Sequence, residues 1–332
     1  MSLGSTRRAL FPPIAALLLI LSCSSPPNDS TRTVRILYPA GSKGDRSFFD
    51  SIYRGYVRAS LRYPDLVGYE RSTATLDEGA AALRLWLQGP IEGKSDLVIA
   101  SGFSFLPFLD DLHCNFGQHH VLFLDGTAAA CPGLQSVTYR TFAPAYLAAV
   151  ALQRLGVRSA ITIGGMPGPA VVEFMDGFEA GAHAVGLSLL AREFLAQDSA
   201  GFAMPLEAET RANALFDSVD AIFPVAGGSG AGVLLAAKAR TGKYVIGVDS
   251  DQAYLGLGVV VASVVKRLDM TVYRVLSGLE GDRFDQGPKV TGMVEGDTDL
   301  VVNDAYFPGL QQTVDEARVA AKEAEKAWLS AK

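Results

Sequence analysis

The sequence has little of what catalytic and nucleic-acid-binding proteins rely on. Its 332 residues include four histidines, His113, His119, His120 and His183. Three of them lie near Cys114, but their spacing matches no standard zinc pattern, so no metal is expected. The phosphate loop G-x-x-x-x-G-K-[ST] is absent, because Gly242-Lys243 precedes Tyr244. A G-x-G-x-x-G fingerprint begun at Gly228 and Gly230 meets Val233. A G-x-S-x-G elbow around Ser229 ends in Ala231, and every histidine precedes that serine, whereas such hydrolases run Ser, Asp, His. Basic residues are not in excess: 29 Lys and Arg face 35 Asp and Glu, a net charge of -6. Nucleic acid is therefore not an expected partner, since its binding rests on neutralised phosphates. Charged residues are only 19% and hydrophobic ones 49%, which excludes wholesale disorder and allows a large core.

Present instead is a leader-like start. Arg7 and Arg8 precede the apolar run Phe11–Leu21, which is shorter than the roughly 20 residues a spanning helix needs. It fits a secretory segment. Ser22-Cys23 follows, and Cys23 is similar to the lipidated cysteine of bacterial lipoproteins, although Leu21 stands where a small residue is usual. The expectation is a lipoprotein signal peptide over 1–22, lipidation of Cys23 and a polar tether over 23–33. Ordinary secretion, with Cys23 lost or free, is the alternative. Outside the cytoplasm, Cys114 and Cys131 can form a disulfide or remain buried thiols.

From residue 34 onward, apolar strand-like runs alternate with amphipathic stretches. Strands are expected at Val34–Tyr38, Leu97–Ala100, Val121–Leu124, Ala160–Ile163, Ser188–Phe194, Ala221–Val225, Tyr244–Val248 and Val259–Ala262. Helices are expected near Ser47–Leu61, Leu76–Leu87, Ala143–Leu155, Val171–Val185, Leu206–Leu215, Gly232–Arg240, Val264–Leu276 and Leu310–Leu329. This alternation implies α/β units with parallel sheets. The two halves share an element order, which suggests two lobes with a ligand cleft between them. Ligands of open α/β sheets bind beyond the carboxyl ends of strands. Asp125, Gly227 and Asp249 each follow an apolar strand.

Several residues read as candidates on their own chemistry. Phe48 falls off the core face of its helix and can stack on a flat ligand, while Phe49 falls on that face; ordinary packing is the alternative for Phe48. Asp45 and Ser47 are possible caps for the same helix. Gly227 and Gly228 allow close backbone approach at a helix start. Asp249 and Asp251 would share a side if the strand continued, one for a ligand's hydroxyls and one for the next cap. Lys266 is expected in a helix's first turn, where a cation is disfavoured. It can enter the cleft there, neutralise Asp249 and donate to a ligand oxygen.

Taken in order, these segments resemble the basic membrane protein family of bacterial lipoproteins, from about Ile36 to Val294. The marks are Asp45-Arg46-Ser47-Phe48, Asp96-Leu97-Val98-Ile99, Gly164-Gly165-Met166, Phe174 with Gly177-Phe178-Glu179-Ala180-Gly181, Ala226-Gly227-Gly228-Ser229-Gly230, Gly247-Val248-Asp249-Ser250-Asp251-Gln252 and Ser263-Val264-Val265-Lys266-Arg267. The resemblance implies the type I periplasmic-binding fold, two α/β lobes with parallel sheets joined by a three-crossover hinge. It places a purine nucleoside between Phe48 and Phe202, with Asp125 touching the ligand. The ribose falls to Asp249 and Lys266, near the Gly227-Gly228 backbone, and Asp45 belongs to the same cleft. Two departures bear on ligand identity. Phe49 and Asp50 stand where the family has Asn, often followed by Gln, and the segment between Asp249 and Lys266 is short.

The expected function is capture of a nucleoside by a protein anchored to the cell membrane through lipid, facing the periplasm or exterior, and its delivery to an ABC transporter permease. A monomer without cofactor or enzymatic activity is expected. The alternatives are a sensor or adhesin of the same fold with another small ligand, and a nucleoside-processing enzyme. The expected lobes are 34–140 plus 250–280 and 141–249 plus 281–309, with a terminal helix over 310–332.

Overall fold

The structure is a computed structural model that describes residues 31–41 and 43–332. The expected signal peptide, Cys23 and most of the tether lie outside the described residues. Among those residues, no helix is long and apolar enough to cross a membrane.

The first lobe runs β1 (Arg32–Tyr38), α1 (Phe48–Arg62), β2 (Leu66–Ser72), α2 (Leu76–Gln88), β3 (Ser95–Ser101), α3 (Leu106–Asp110), β4 (His120–Leu124) and β5 (Leu134–Tyr139). The chain then crosses to α4 (Phe142–Arg154), β6 (Ser159–Gly164), α5 (Pro169–Val185), β7 (Ser188–Phe194), α6 (Pro205–Leu215), β8 (Ala221–Val225), α7 (Gly230–Lys238), β9 (Tyr244–Asp249) and β10 (Val260–Lys266). It returns for α8 (Leu268–Glu280) and β11 (Gly287–Thr291), then crosses again for β12 (Thr298–Val302) and α9 (Leu310–Ser330). The first sheet has the order β11-β5-β4-β3-β1-β2 and is wholly parallel. The second has the order β12-β10-β9-β8-β6-β7, with only β12 antiparallel. The expected two-lobe, three-crossover architecture is what the chain forms.

Residue size sets the packing of the second lobe. α4 is buried from Phe142 to Leu152, under β10, α5 and α9. Gly177 and Gly181, one helical turn apart, bring α5 onto the backbone of α4 at Phe142 and Tyr146, where no Cβ would fit. α9 ends this layer: Leu310, Val314 and Ala321 enter the core, and Glu325 accepts a hydrogen bond from the Ala143 amide, satisfying an orphan N–H at the start of α4.

Two expectations about the region from 250 to 300 need correction. Residues 264–266 are strand, not helix: Val260, Val261, Val264 and Val265 form a largely β-branched run that is buried and paired with β9 and β12. Lys266 therefore ends a strand, and the first helical turn begins at Leu268. The lobe boundaries move with it. Residues 260–266 belong to the second sheet, α8 packs on α1 through Gly55, and β11 extends the first sheet beside β5. The crossings accordingly fall at Arg140-Thr141, at Arg267 and over 292–297.

Candidate functional site

The carboxyl ends of strands from both sheets converge on a cavity of about 360 Å³. Phe48, Phe202, Asp125, Asp249 and Lys266 all line it, as do Asp45, Gly227 and Gly228. The sequence-derived candidates are thus brought together, although their roles differ from expectation in three places.

The first difference is the partner of Lys266. Its Nζ donates to both carboxylate oxygens of Asp125 at 2.9 Å and stands 3.7 Å from Asp249 Oδ1. The expected neutralisation of Asp249 is therefore secondary, and Asp125 of the other lobe is the main counter-ion. All three side chains are buried. Asp249 Oδ2 also lies 2.9 Å from the Ser47 hydroxyl at the start of α1. Burial pushes the Asp249 carboxyl up to about 6, against the pull of Lys266 and with the added push of Asp125. Burial pulls Lys266 down, but the two carboxylates outweigh it and its pKa ends raised. The Lys266 ammonium also faces the Phe174 ring at 4.9 Å and the Phe48 ring at 5.8 Å from their centroids.

The second difference concerns the acids near strand ends. Asp125 and Asp249 both take positive φ, 69° and 62°, a conformation that aspartate tolerates better than most residues. Asp249 thereby breaks the strand alternation, so Asp251 does not share its side; Asp251 is exposed and accepts a hydrogen bond from the Ala253 amide, the capping role considered for one of the two. Asp45 turns its carboxylate to the start of α1, accepting hydrogen bonds from the amides of Ser47, Phe49 and Asp50 at 2.8–3.1 Å. Asp45 is therefore the cap in fact. Burial nevertheless raises its pKa, because those amides do not fully replace water.

The third difference is Ser229, weighed above as a nucleophile. It is fully buried and serves as a clamp. Its hydroxyl donates to the Gly201 carbonyl and accepts from the Met204 amide, both at 2.7 Å. That fixes the 3-10 turn Ser199–Ala203, which carries Phe202. The Phe202 ring rests on Gly165, where no Cβ would fit.

Phe103 was missed. It opens the short turn after β3, and its ring meets Phe202 edge-on at 6.3 Å. It also seats on Gly168, at the start of α5 in the opposite lobe, where a Cβ would collide with it. The available signal was position alone, by the rule that found Asp125: a residue just beyond an apolar strand. Phe49 also enters the cavity wall, packed edge-on between Tyr38 and Phe48. The lobes meet again where Ser250 donates to the Ser47 carbonyl, Arg54 to the Ser250 hydroxyl and Gln252 to the Arg46 carbonyl.

Among the described residues, no cluster of His, Cys, Asp and Glu could hold a metal ion. His119 lies 3.1 Å from the Gly89 carbonyl and 3.5 Å from Asp96, and Cys114 forms a disulfide with Cys131.

A cleft with aromatic walls and an ionic floor between two α/β lobes suits a solute-binding protein, and comparison with known proteins decides the family. The model for "ABC transporter substrate-binding protein PnrA-like" matches residues 34–305. The chain belongs to that family. It is a family of binding proteins, not of enzymes. Basic membrane protein D of Borreliella burgdorferi is 34% identical over 176 residues, a match spanning 52% of this chain and 51% of that relative. Basic membrane protein B of Borreliella afzelii is 26% identical over 83% of both chains. The ABC transporter nucleoside-binding protein BmpA of Lactococcus lactis is 28% identical, over 63% of this chain and 64% of its own. Among solved structures, a solute-binding protein of an ABC transporter system from Aeropyrum pernix has a TM-score of 0.72 at 19% identity, covering 91% of this chain and 92% of its own. The glucose-galactose binding protein GanP of Geobacillus stearothermophilus has a TM-score of 0.61 at 16% identity, covering 83% of this chain and 99% of its own. At such identities these likenesses speak for the fold.

Proposed function

We propose that this family member is an extracytoplasmic lipoprotein, anchored through Cys23, that captures a nucleoside, with purines favoured, and delivers it to an ABC transporter permease. The observation that carries the reading is the buried Asp125–Lys266–Asp249 cluster beside Phe48 and Phe202 in one cavity. Two carboxylates against one ammonium leave the floor with a net negative charge and spare acceptor capacity. A ligand that offers hydroxyl donors and a flat ring fits it, whereas a phosphorylated one would bring negative charge to negative charge. Stacking contributes about 1–3 kcal/mol per aromatic, and a hydrogen bond to a charged group about 1.5–3 kcal/mol. Micromolar or tighter binding is within reach of those terms. The nucleoside-binding relative from Lactococcus lactis supports the same class.

The test is direct. The full chain is purified in detergent, denatured, and the released small molecules identified by mass spectrometry; inosine, guanosine, adenosine and cytidine are then titrated by calorimetry. A nucleoside released unchanged and rebound supports the reading. Release of another class of molecule, with no binding of the four, refutes it.

The raised pKa of Asp249 gives the site a pH signature. If the ligand's hydroxyls donate to the ionised carboxylate, binding weakens as that carboxylate protonates. With a pKa of about 6, the Kd should be about tenfold weaker at pH 5 than at pH 7.5. Asp249→Asn should flatten that profile and weaken binding at least tenfold, by about 1.5–3 kcal/mol. A Kd in the parent that is constant across the range removes Asp249 from the contact set.

Closure has its own handle. Gly168→Ala fills the seat of Phe103, and overpacking of this kind costs about 1–3 kcal/mol. Nucleoside affinity should fall by about five- to a hundredfold. Unaltered affinity would show that Phe103 does not seat there when ligand is bound.

A further inference from the structure

We propose that Ser101 reads the ligand directly, its hydroxyl exchanging a hydrogen bond with a polar atom on the edge of the bound nucleoside. The inference rests on the nucleoside reading above and adds a specificity residue that neither the motifs nor the charge cluster supplies.

Ser101 is the last residue of β3, which lies between β4, the strand leading to Asp125, and β1, the strand leading to Phe48. Its place is thus between the ionic floor and an aromatic wall. It lines the cavity and is 1% exposed. Its Oγ is buried and has no hydrogen-bond partner among the described residues. Native proteins leave few such groups unpaired. Several other buried polar atoms are also unpaired, among them Thr141 Oγ1 and Thr162 Oγ1, but of all of them only that of Ser101 belongs to a residue lining the cavity.

The surroundings leave this hydroxyl without an internal task. Asp125 is taken by Lys266, Asp249 by Ser47 and Lys266, and Asp45 by the amides of α1. Gly102 follows with a φ of 93°, so the chain turns away from the strand with no side chain interposed at that point. The four preceding residues, Leu97 to Ala100, are apolar and fully buried, so β3 gains nothing from a polar group at its end. A serine hydroxyl both donates and accepts, so it can serve a carbonyl, a ring nitrogen or an amino group.

Ser101→Ala removes only the oxygen. Inosine, guanosine, adenosine and cytidine are titrated by calorimetry against the full-length parent and variant, and both ligand-free proteins are melted. The expected result is a loss of at least fivefold in affinity for the nucleoside that the parent binds most tightly, with a melting temperature unchanged or raised, because no bond within the protein is lost. A loss below fivefold overturns the proposal. So does a lowered melting temperature in the ligand-free variant, which would reveal a structural bond for the hydroxyl. A parent that binds none of the four overturns the nucleoside reading itself, and this proposal with it.

Discussion

Lys266→Met is expected to destabilise the fold by about 3–5 kcal/mol at pH 7.5, the usual result of removing one partner from a buried ionic cluster. The ammonium is the shared counter-charge of two buried carboxylates, Asp125 at 2.9 Å and Asp249 at 3.7 Å. Methionine keeps most of the volume and the apolar stem but leaves both acids facing one another without a counter-charge. Asp249, whose carboxyl burial already pushes up, would then hold its proton still more tightly in the folded chain than in the unfolded one. Stability carried by a raised carboxyl pKa is present at low pH and lost as pH rises through the folded value. The defect should therefore shrink when the variant is melted at pH 5 and be largest above pH 7. Circular dichroism melts at the two pH values check this, and a variant as stable as its parent at pH 7.5 would show that the three groups are not buried together. Asp249→Asn should behave oppositely toward the fold. It removes a carboxyl whose burial is already unfavourable and leaves a neutral Lys266–Asp125 pair, so the melting temperature should hold or rise.

The second large effect concerns the rings. Phe202→Ala should weaken nucleoside binding by roughly 10- to 100-fold, within the 1–3 kcal/mol that stacking supplies per aromatic. Phe202→Leu keeps much of the apolar volume but no flat face, and should lose nearly as much. If leucine binds as tightly as phenylalanine, the ring is a spacer and the ligand does not stack on it. Phe48→Ala should cost a similar factor, and both alanine variants should lose some stability, because Phe48 packs against the first-lobe core and Phe202 against the second-lobe core as well as lining the cavity. Calorimetric titration alongside thermal melts separates the two contributions.

Much of this architecture was legible in the residues because parallel α/β units announce themselves through buried apolar runs. The expected strands lack β2, β11 and β12, which lie at sheet edges, and also the buried, interior β5, whereas the edge strand β7 has the expected bounds. β2 (Leu66–Ser72) is mostly exposed and carries Tyr, Glu and Arg. β11 contains Gly, Pro and Lys and sits at the rim of its sheet, where a proline disturbs little. At the site, Lys266 was conspicuous for the wrong reason. It was singled out as a cation in a first helical turn, whereas its setting is a strand end, and what explains it is Asp125, 141 residues earlier in the chain. Pairings of that separation leave no local pattern. Ser229 shows the reverse: a glycine-flanked serine invites a chemical role, and only its bonds to Gly201 and Met204 show that it holds a loop. Ser101 and Phe103 escaped notice because neither residue type stands out at the end of a strand: Phe103 is explained only by Gly168 of the opposite lobe, and Ser101 only by its unpaired hydroxyl in the cavity lining.

Lys266 lies one residue from the second crossing, and its ammonium grips an acid of the other lobe. A salt bridge so near a pivot is stretched little when the two halves swing apart, just as a stitch beside a hinge survives the opening of a door. The electrostatic floor would then stand ready before any solute arrives. Binding energy is left for the contact on the aromatic side of the same cavity, where Phe103 meets Gly168.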